Sequence, residues 1–265
     1  MVTLLERSCR FFLGFFLVSL WVISSSSASK SVRKGYKIAK FCQDANAGYV
    51  GEQSKATMVL ETRSGQQVRR ELIVKRREKR GDGDQSLLTF MRPADVKGTK
   101  LLTWTHLDSG DDQWVYLPAY RKVKRISSRL KTGSFLGSEF SYEDLGGRNI
   151  EKFRHRFLKE GKYKGRKVWV LEQKPKDKYS GYSKQIVWMD KKYKSPLKVE
   201  YFDRKGELLK VAKFIGYRRI DEWWRPSRTE MRNVQTRKKS TLVWKKTRLK
   251  RKFSSRDFQK EYLKK

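Results

Sequence analysis

From Lys55 onward the hydrophobic pattern of this chain has a period of two, and it keeps that period almost to the end. Val68, Leu72 and Val74 share one parity, and Leu197, Val199 and Tyr201 alternate with Lys198, Glu200 and Phe202. Successive side chains of a strand point to opposite faces, whereas a helix repeats its apolar positions every three to four residues. The alternation therefore commits these segments to half-buried β-strands. Further strands are predicted at Leu87–Met91, Lys100–Thr105, Lys167–Gln173, Gln185–Asp190, Glu207–Arg218, Arg228–Val234 and Thr241–Leu249. Gly161, Gly165, Tyr179-Ser180-Gly181 and Asp203-Arg204-Lys205-Gly206 supply turns between them. About ten or eleven closely spaced antiparallel strands with little helix between them make one large meander.

Helices are predicted only at the ends. Val32, Tyr36, Ala39, Cys42 and Ala45 recur at spacings of three and four, which predicts a helix over Lys30–Asn46, with Gly48 placed to stop it. Ser254 and Asp257 have capping-box spacing, and Phe258 and Tyr262 lie four apart, which predicts a short C-terminal helix over Phe253–Leu263. No linker, repeat or low-complexity tract interrupts residues 29–265, so they are expected to form one domain.

The most informative stretch is Asp112–Leu145. It opens with a strand that carries Trp114 and Tyr116 on one face and Val115 and Leu117 on the other, and Pro118 ends it. A second strand, Arg121–Ile126, contains four cations. The loop beyond interleaves Gly133 and Gly137 with Phe135, Phe140 and Tyr142. Aromatic faces are costly to leave in water, so such a loop folds back over apolar surface, either its own barrel or something held there.

The pattern D-x-W-x-Y-L-P-x-x-R-K-V-x-R-I from Asp112, followed by G-S-F-x-G-S-x-F-S-Y-E-D-L from Gly133, resembles the outer-membrane lipoprotein-sorting protein family. That family is related to the periplasmic lipoprotein carrier of Gram-negative bacteria. Gly35–Lys40, Gly48, Met58–Leu60 and Arg92–Thr99 are similar to the family's opening helix, first strand and next recurring loop. The resemblance implies a mainly β fold, a single half-open antiparallel barrel whose concave face is covered by helices and loops. It also implies an association with inner-membrane export proteins of the resistance-nodulation-division type.

Residues 1–28 read as a secretory signal peptide. Arg7 and Arg10 precede an apolar run from Phe11 to Ile23, and Ser26 and Ala28 fit the small positions of a cleavage site. A membrane-spanning helix needs about 20 apolar residues, and this run has 13. Neither Cys9 nor Cys42 sits in a lipidation box, so no acyl anchor is expected, and cleavage leaves Cys42 alone without a disulfide partner. The expected location is the periplasm.

Lys and Arg exceed Asp and Glu by 36. Such a field attracts any polyanion, and export favours anionic lipid over nucleic acid. Salt-sensitive membrane docking and simple solubility both fit that charge.

Catalytic motifs are sparse. Neither His106 nor His155 has a second ligand at the spacing of a recognised metal motif, both read as structural or solvated, and the chain has no H-E-x-x-H, C-x-x-C, Walker loop or G-x-S-x-G elbow. Gly81-Asp82-Gly83-Asp84 offers too few oxygens for calcium and reads as a hairpin turn. No enzyme activity, metal or cofactor is expected.

The sequence therefore points to a monomeric periplasmic carrier or chaperone that binds acyl chains of lipoproteins or phospholipids in an apolar barrel cavity. Trp114, Tyr116, Phe135, Phe140 and Tyr142 are the expected cavity or lid residues, with Trp223 and Trp224 as a further rim. Arg121, Lys122 and Arg125 are the expected contacts for lipid head groups or a partner. As a lid residue, Phe135 mutated to Asp is expected to weaken lipid binding without lowering the melting temperature. The alternative is a cationic β-protein that binds envelope polysaccharide or nucleic acid and has no lipid cavity.

Overall fold

The computed structural model describes residues 19–79, 81–147 and 149–265. A long helix, α1 (Ser19–Asp44), leads into β1 (Gly51–Glu61), β2 (Gln67–Arg77), β3 (Gln85–Arg92), β4 (Lys100–Trp104), β5 (Asp112–Leu117) and β6 (Lys122–Arg125). After a long connection come β7 (Phe153–Tyr163), β8 (Arg166–Pro175), β9 (Lys184–Asp190) and β10 (Pro196–Phe202). β11 (Leu208–Ile220), β12 (Trp223–Asn233) and β13 (Lys239–Arg248) complete the chain's strands.

All thirteen strands belong to one antiparallel sheet in the order β6-β5-β4-β3-β2-β1-β13-β12-β11-β10-β9-β8-β7. The first and last strands pair at its middle, with Met58 opposite Leu242. The two free edges, β6 and β7, are consecutive in the chain, so their connection has to cross the gap of the open barrel. Thirteen strands exceed the expected ten or eleven. The apolar pattern gives no bounds for β7, expected only as a basic strand around His155, because only His155 among its side chains is buried.

Register assigns each residue to a face. Met58, Leu72, Phe90 and Leu242 share the inner face and form its core with Val187, Val199 and Phe214. The outer face of β3–β6 is covered by the chain's end, where Phe258 and Leu263 pack on Leu102, Trp104 and Trp114. That segment is two short 3-10 turns, Ser255–Phe258 and Lys260–Lys264, and not the expected α-helix. Ser254 accepts from the N–H of Arg256, and extended Gln259 separates the turns. The two buried anchors are five positions apart, a spacing that no α-helical face provides.

α1 starts eleven residues before the expected Lys30, since neither Pro nor Gly interrupts residues 19–30. Most of the expected signal peptide, with Cys9, lies outside the described residues. The buried face of α1 is also rotated from the expected stripe. Ile38, Ala39 and Cys42 pack on Leu171 of β8, while Val32 and Tyr36 are exposed. Burial pushes the Cys42 thiol up to about 12.

Gly35 explains the rotation. A Cβ there would lie 2.6 Å from the backbone nitrogen of Phe157, so only glycine lets the helix rest directly on β7. Counting apolar residues overlooks it. Gly35→Ala is expected to lift the helix and cost about 1–3 kcal/mol of stability, as overpacking does. Denaturant unfolding measures the loss, and an unchanged midpoint would show that the helix does not depend on this contact.

Candidate functional site

The β6–β7 connection turns back into the barrel as a plug. Ser134 and Ser141 form an isolated antiparallel bridge, and Phe135 N–H donates to Phe140 C=O at 2.8 Å. Between them Leu136 and Gly137 have φ of 50° and 75°, and Ser138 N–H closes the turn on Phe135 C=O. Two left-handed residues in a closed turn match the φ signs of a type I′ turn, here at the start of a four-residue hairpin loop, and glycine at the second removes one of its two steric penalties.

This tight hairpin projects Phe135 and Phe140 into the inner face. Phe135 is 0 % exposed, and its ring lies 5.7 Å from Phe90 and 5.4 Å, edge-on, from Tyr142. Phe140 is buried in the same core. The apolar hollow of the open barrel is thus occupied by the chain's own aromatic side chains.

Polar contacts hold the plug in place. Lys210 on β11 reaches Asp144 of the plug at 2.5 Å, and the side chains are only 6 % and 3 % exposed. Asp144 also accepts from Tyr182 Oη at 2.8 Å and from both the backbone N–H and hydroxyl of Ser141. A buried charge pair survives only with its remaining hydrogen-bonding capacity met, as it is here. Burial and then the Asp144 charge push the Tyr182 phenol well above its ordinary range. Glu143 accepts from Ser180 Oγ and Gly181 N–H, and burial raises its carboxyl. At the tip, Arg70 donates to Leu136 C=O at 2.6 Å, and Glu139 N–H donates to Ser240 Oγ at 2.9 Å. Gln113 holds Tyr142 C=O at 2.9 Å.

A second buried charge cluster joins β1 to β12. Buried Glu52 accepts from Arg225 at 2.9 Å and lies 3.9 Å from Arg76. Burial alone would raise its carboxyl, but the two guanidinium groups prevail and hold it below the usual range.

The structure divides the expected site residues. Phe135, Phe140 and Tyr142 come together on the inner face. Trp114 and Tyr116 do not join them. β5 turns Gln113 and Val115 inward, so Trp114 and Tyr116 lie outside beneath Phe258, with Trp114 edge-on to Trp104 at 4.9 Å. Trp223 and Trp224, being consecutive, separate as well. Trp223 packs with Tyr49 and Leu249 and donates to Ala47 C=O, and Trp224 rests on Tyr193 at 4.5 Å. Arg121, Lys122 and Arg125 are exposed along the free edge strand β6, where Arg125 pairs with Asp112. Cations on a free edge oppose pairing with a second sheet.

The histidines have structural surroundings. His106 sits between Asp82 and Asp112 at 3.1 and 3.2 Å, and buried His155 faces Ile150 C=O at 2.8 Å. Among the described residues no three His, Cys, Asp or Glu side chains converge as a metal site requires.

The sequence reading missed Asp144, Lys210, Tyr182 and Arg70. One signal was present: Lys210 interrupts the apolar run Leu208–Ala212 on the parity of Ala212 and Phe214, which places an ammonium on the inner face.

A family described as an uncharacterized protein matches residues 82–265, and DUF1329, a family described as a protein of unknown function, matches residues 29–132. No curated protein matches the chain. A solved outer membrane lipoprotein-sorting protein domain from Vibrio parahaemolyticus is 44% identical with a TM-score of 0.86, the alignment covering 88% of this chain and 100% of that one. A DUF1329 family protein from Desulfovibrio piger is 30% identical with a TM-score of 0.84, covering 88% and 99%. A LolA superfamily protein from Nitrosomonas europaea shares the fold at 20% identity, with a TM-score of 0.69 over 86% and 98%. The plugged open barrel, the motif from Asp112 to Leu145 and these relatives agree: the chain belongs to the outer-membrane lipoprotein-sorting family, DUF1329.

Proposed function

We propose that the protein is a periplasmic, non-enzymatic carrier that takes acyl chains of lipoproteins or phospholipids into the space its plug occupies. One observation carries this reading: Phe135 and Phe140 fill an apolar hollow from a loop that no strand ladder ties to the wall. Displacing the loop would expose a ready-made lining of Met58, Leu72, Phe90, Val199 and Met231. An inner-membrane exporter of the resistance-nodulation-division type is the partner that the family resemblance proposes.

The exchange of apolar surface favours the cargo. Two buried phenylalanine side chains are worth about 3–6 kcal/mol, and an acyl chain of about 14 methylenes offers about 11. Breaking the plug's polar contacts reduces that surplus of about 5–8 kcal/mol, which keeps loading favourable but reversible.

The experiment has two arms. Solvent extraction of the purified protein is expected to recover acyl-chain lipid, and a fluorescent fatty-acid probe is expected to be displaced by phospholipid. If neither occurs, the carrier reading is wrong. The second arm staples the plug with Glu139→Cys and Ser240→Cys, whose backbone nitrogen and side-chain oxygen are now 2.9 Å apart. Cys42 is buried and does not compete. Oxidation should abolish probe uptake and reductant should restore it. Uptake indifferent to oxidation would show that cargo does not replace the plug.

A further inference from the structure

We propose that the solvent face of α1, together with the aromatic start of β8, is the surface on which this protein docks to anionic phospholipid membranes. The proposal gives the carrier reading a membrane contact, and rests on it for its biological setting but not for its physics.

Lys30, Arg33, Lys34 and Lys37 surround an open groove of about 430 Å³ floored by Ile38 and Phe41. They are spaced so that two turns of helix present all four cations on one side. The seating of α1 on Gly35 leaves an apolar side chain facing water here, with Phe41 50 % exposed. Phe41 meets Trp169 edge-on at 6.3 Å. Lys194 lies 4.6 Å from the Phe41 ring and 5.1 Å from that of Trp169, with Lys191 5.2 Å from the latter.

Lysines standing over half-exposed aromatic rings form an amphipathic layer. The rings match the depth of lipid carbonyls, and the ammonium groups match the phosphates above them. Acids are few in this patch. Glu160 pairs with Lys191 and lies 4.0 Å from Lys34, and Asp44 is engaged by Lys40 at 2.6 Å. A soluble polyanion would use the cations but gain nothing from the apolar faces of Phe41 and Trp169, so a lipid surface is the occupant that uses both.

Flotation with vesicles of equal parts phosphatidylglycerol and phosphatidylcholine, against phosphatidylcholine alone, tests the proposal. The protein is expected to bind only the anionic vesicles. Arg33→Gln with Lys37→Gln removes two exposed cations, and at about 1 kcal/mol each this weakens binding about 30-fold. The control is Lys55→Gln with Lys245→Gln, neighbours across β1 and β13 that are also exposed. It makes the same change in net charge and should lose less than about threefold, because charges beyond a Debye length of a docked surface are screened. Equal losses in both double variants would mean attraction by total charge, and wild-type binding that is absent, or equal on neutral vesicles, would also overturn the proposal. Fatty-acid probe uptake should be unchanged in all three proteins. Its absence from all of them would defeat the carrier reading and leave the vesicle result standing.

Discussion

Phe135→Ala is expected to lower stability and raise affinity for an acyl chain in the same protein. Phe135 is fully buried against Phe90 and Tyr142, and truncating such a side chain costs about 3–5 kcal/mol. For a chain of this size each kcal/mol corresponds to about 2–4 °C, so the melting temperature should fall by roughly 6–20 °C. The same contacts hold the cup shut. A ligand that enters only the open form has its affinity divided by the open fraction, so a loss of about 3 kcal/mol from the closed form strengthens apparent binding by up to about 100-fold. Thermal melts and titration with the fatty-acid probe check both halves. A lower melting temperature with unchanged or weaker uptake would show that the loop is fixed architecture. Sequence alone pointed the other way, to Phe135→Asp leaving the melting temperature untouched. At 0 % exposure an introduced carboxylate has no water to reach.

The second large effect lies in the Lys210–Asp144 pair. Asp144→Ala leaves the Lys210 ammonium buried beside Tyr182 and Tyr201 without its counter-charge, and Lys210→Met does the reverse. Each should cost about 3–5 kcal/mol, because removing one partner strands the other. Replacing both, with Lys210→Met and Asp144→Leu together, should recover at least half of that loss. Denaturant unfolding of the three variants closes the cycle. If the double variant is no more stable than either single one, the two side chains do not act as a pair, and the bonds from Tyr182 and Ser141 to Asp144 hold the plug instead. The single variants should also take up more fatty-acid probe than the wild type, by the same population argument as for Phe135.

The strands were legible because a sheet with one packed face writes its period into the sequence. β7 could be read only as a basic strand around His155, without bounds, since as a free edge beside α1 it buries only His155 and four of its seven exposed positions are cations. Alternation correctly placed Trp114 and Tyr116 on one face of β5, but no local pattern says which face is concave. That depended on the last residues of the chain, where Phe258 and Leu263 cover the outer side from more than a hundred positions away. The plug's aromatic side chains were legible from glycine and ring spacing. Its anchors were not, because Asp144 and Lys210 are 66 positions apart and each alone reads as one more surface charge.

The connection between β6 and β7 crosses the barrel's gap and is tied to both of its edges. If acyl cargo enters the space of the plug, as proposed, the plug is a competitor that never diffuses away. A tethered group acts at an effective concentration of about millimolar or above, set by the length of its tether and not by expression level. Cargo that loosens its hold during hand-over would be displaced by the returning phenylalanines before it could rebind. An open barrel closed by its own edge-to-edge strap would thus lower cargo affinity by the same factor at loading and at delivery, speeding release while the relative affinities of donor and acceptor set the direction.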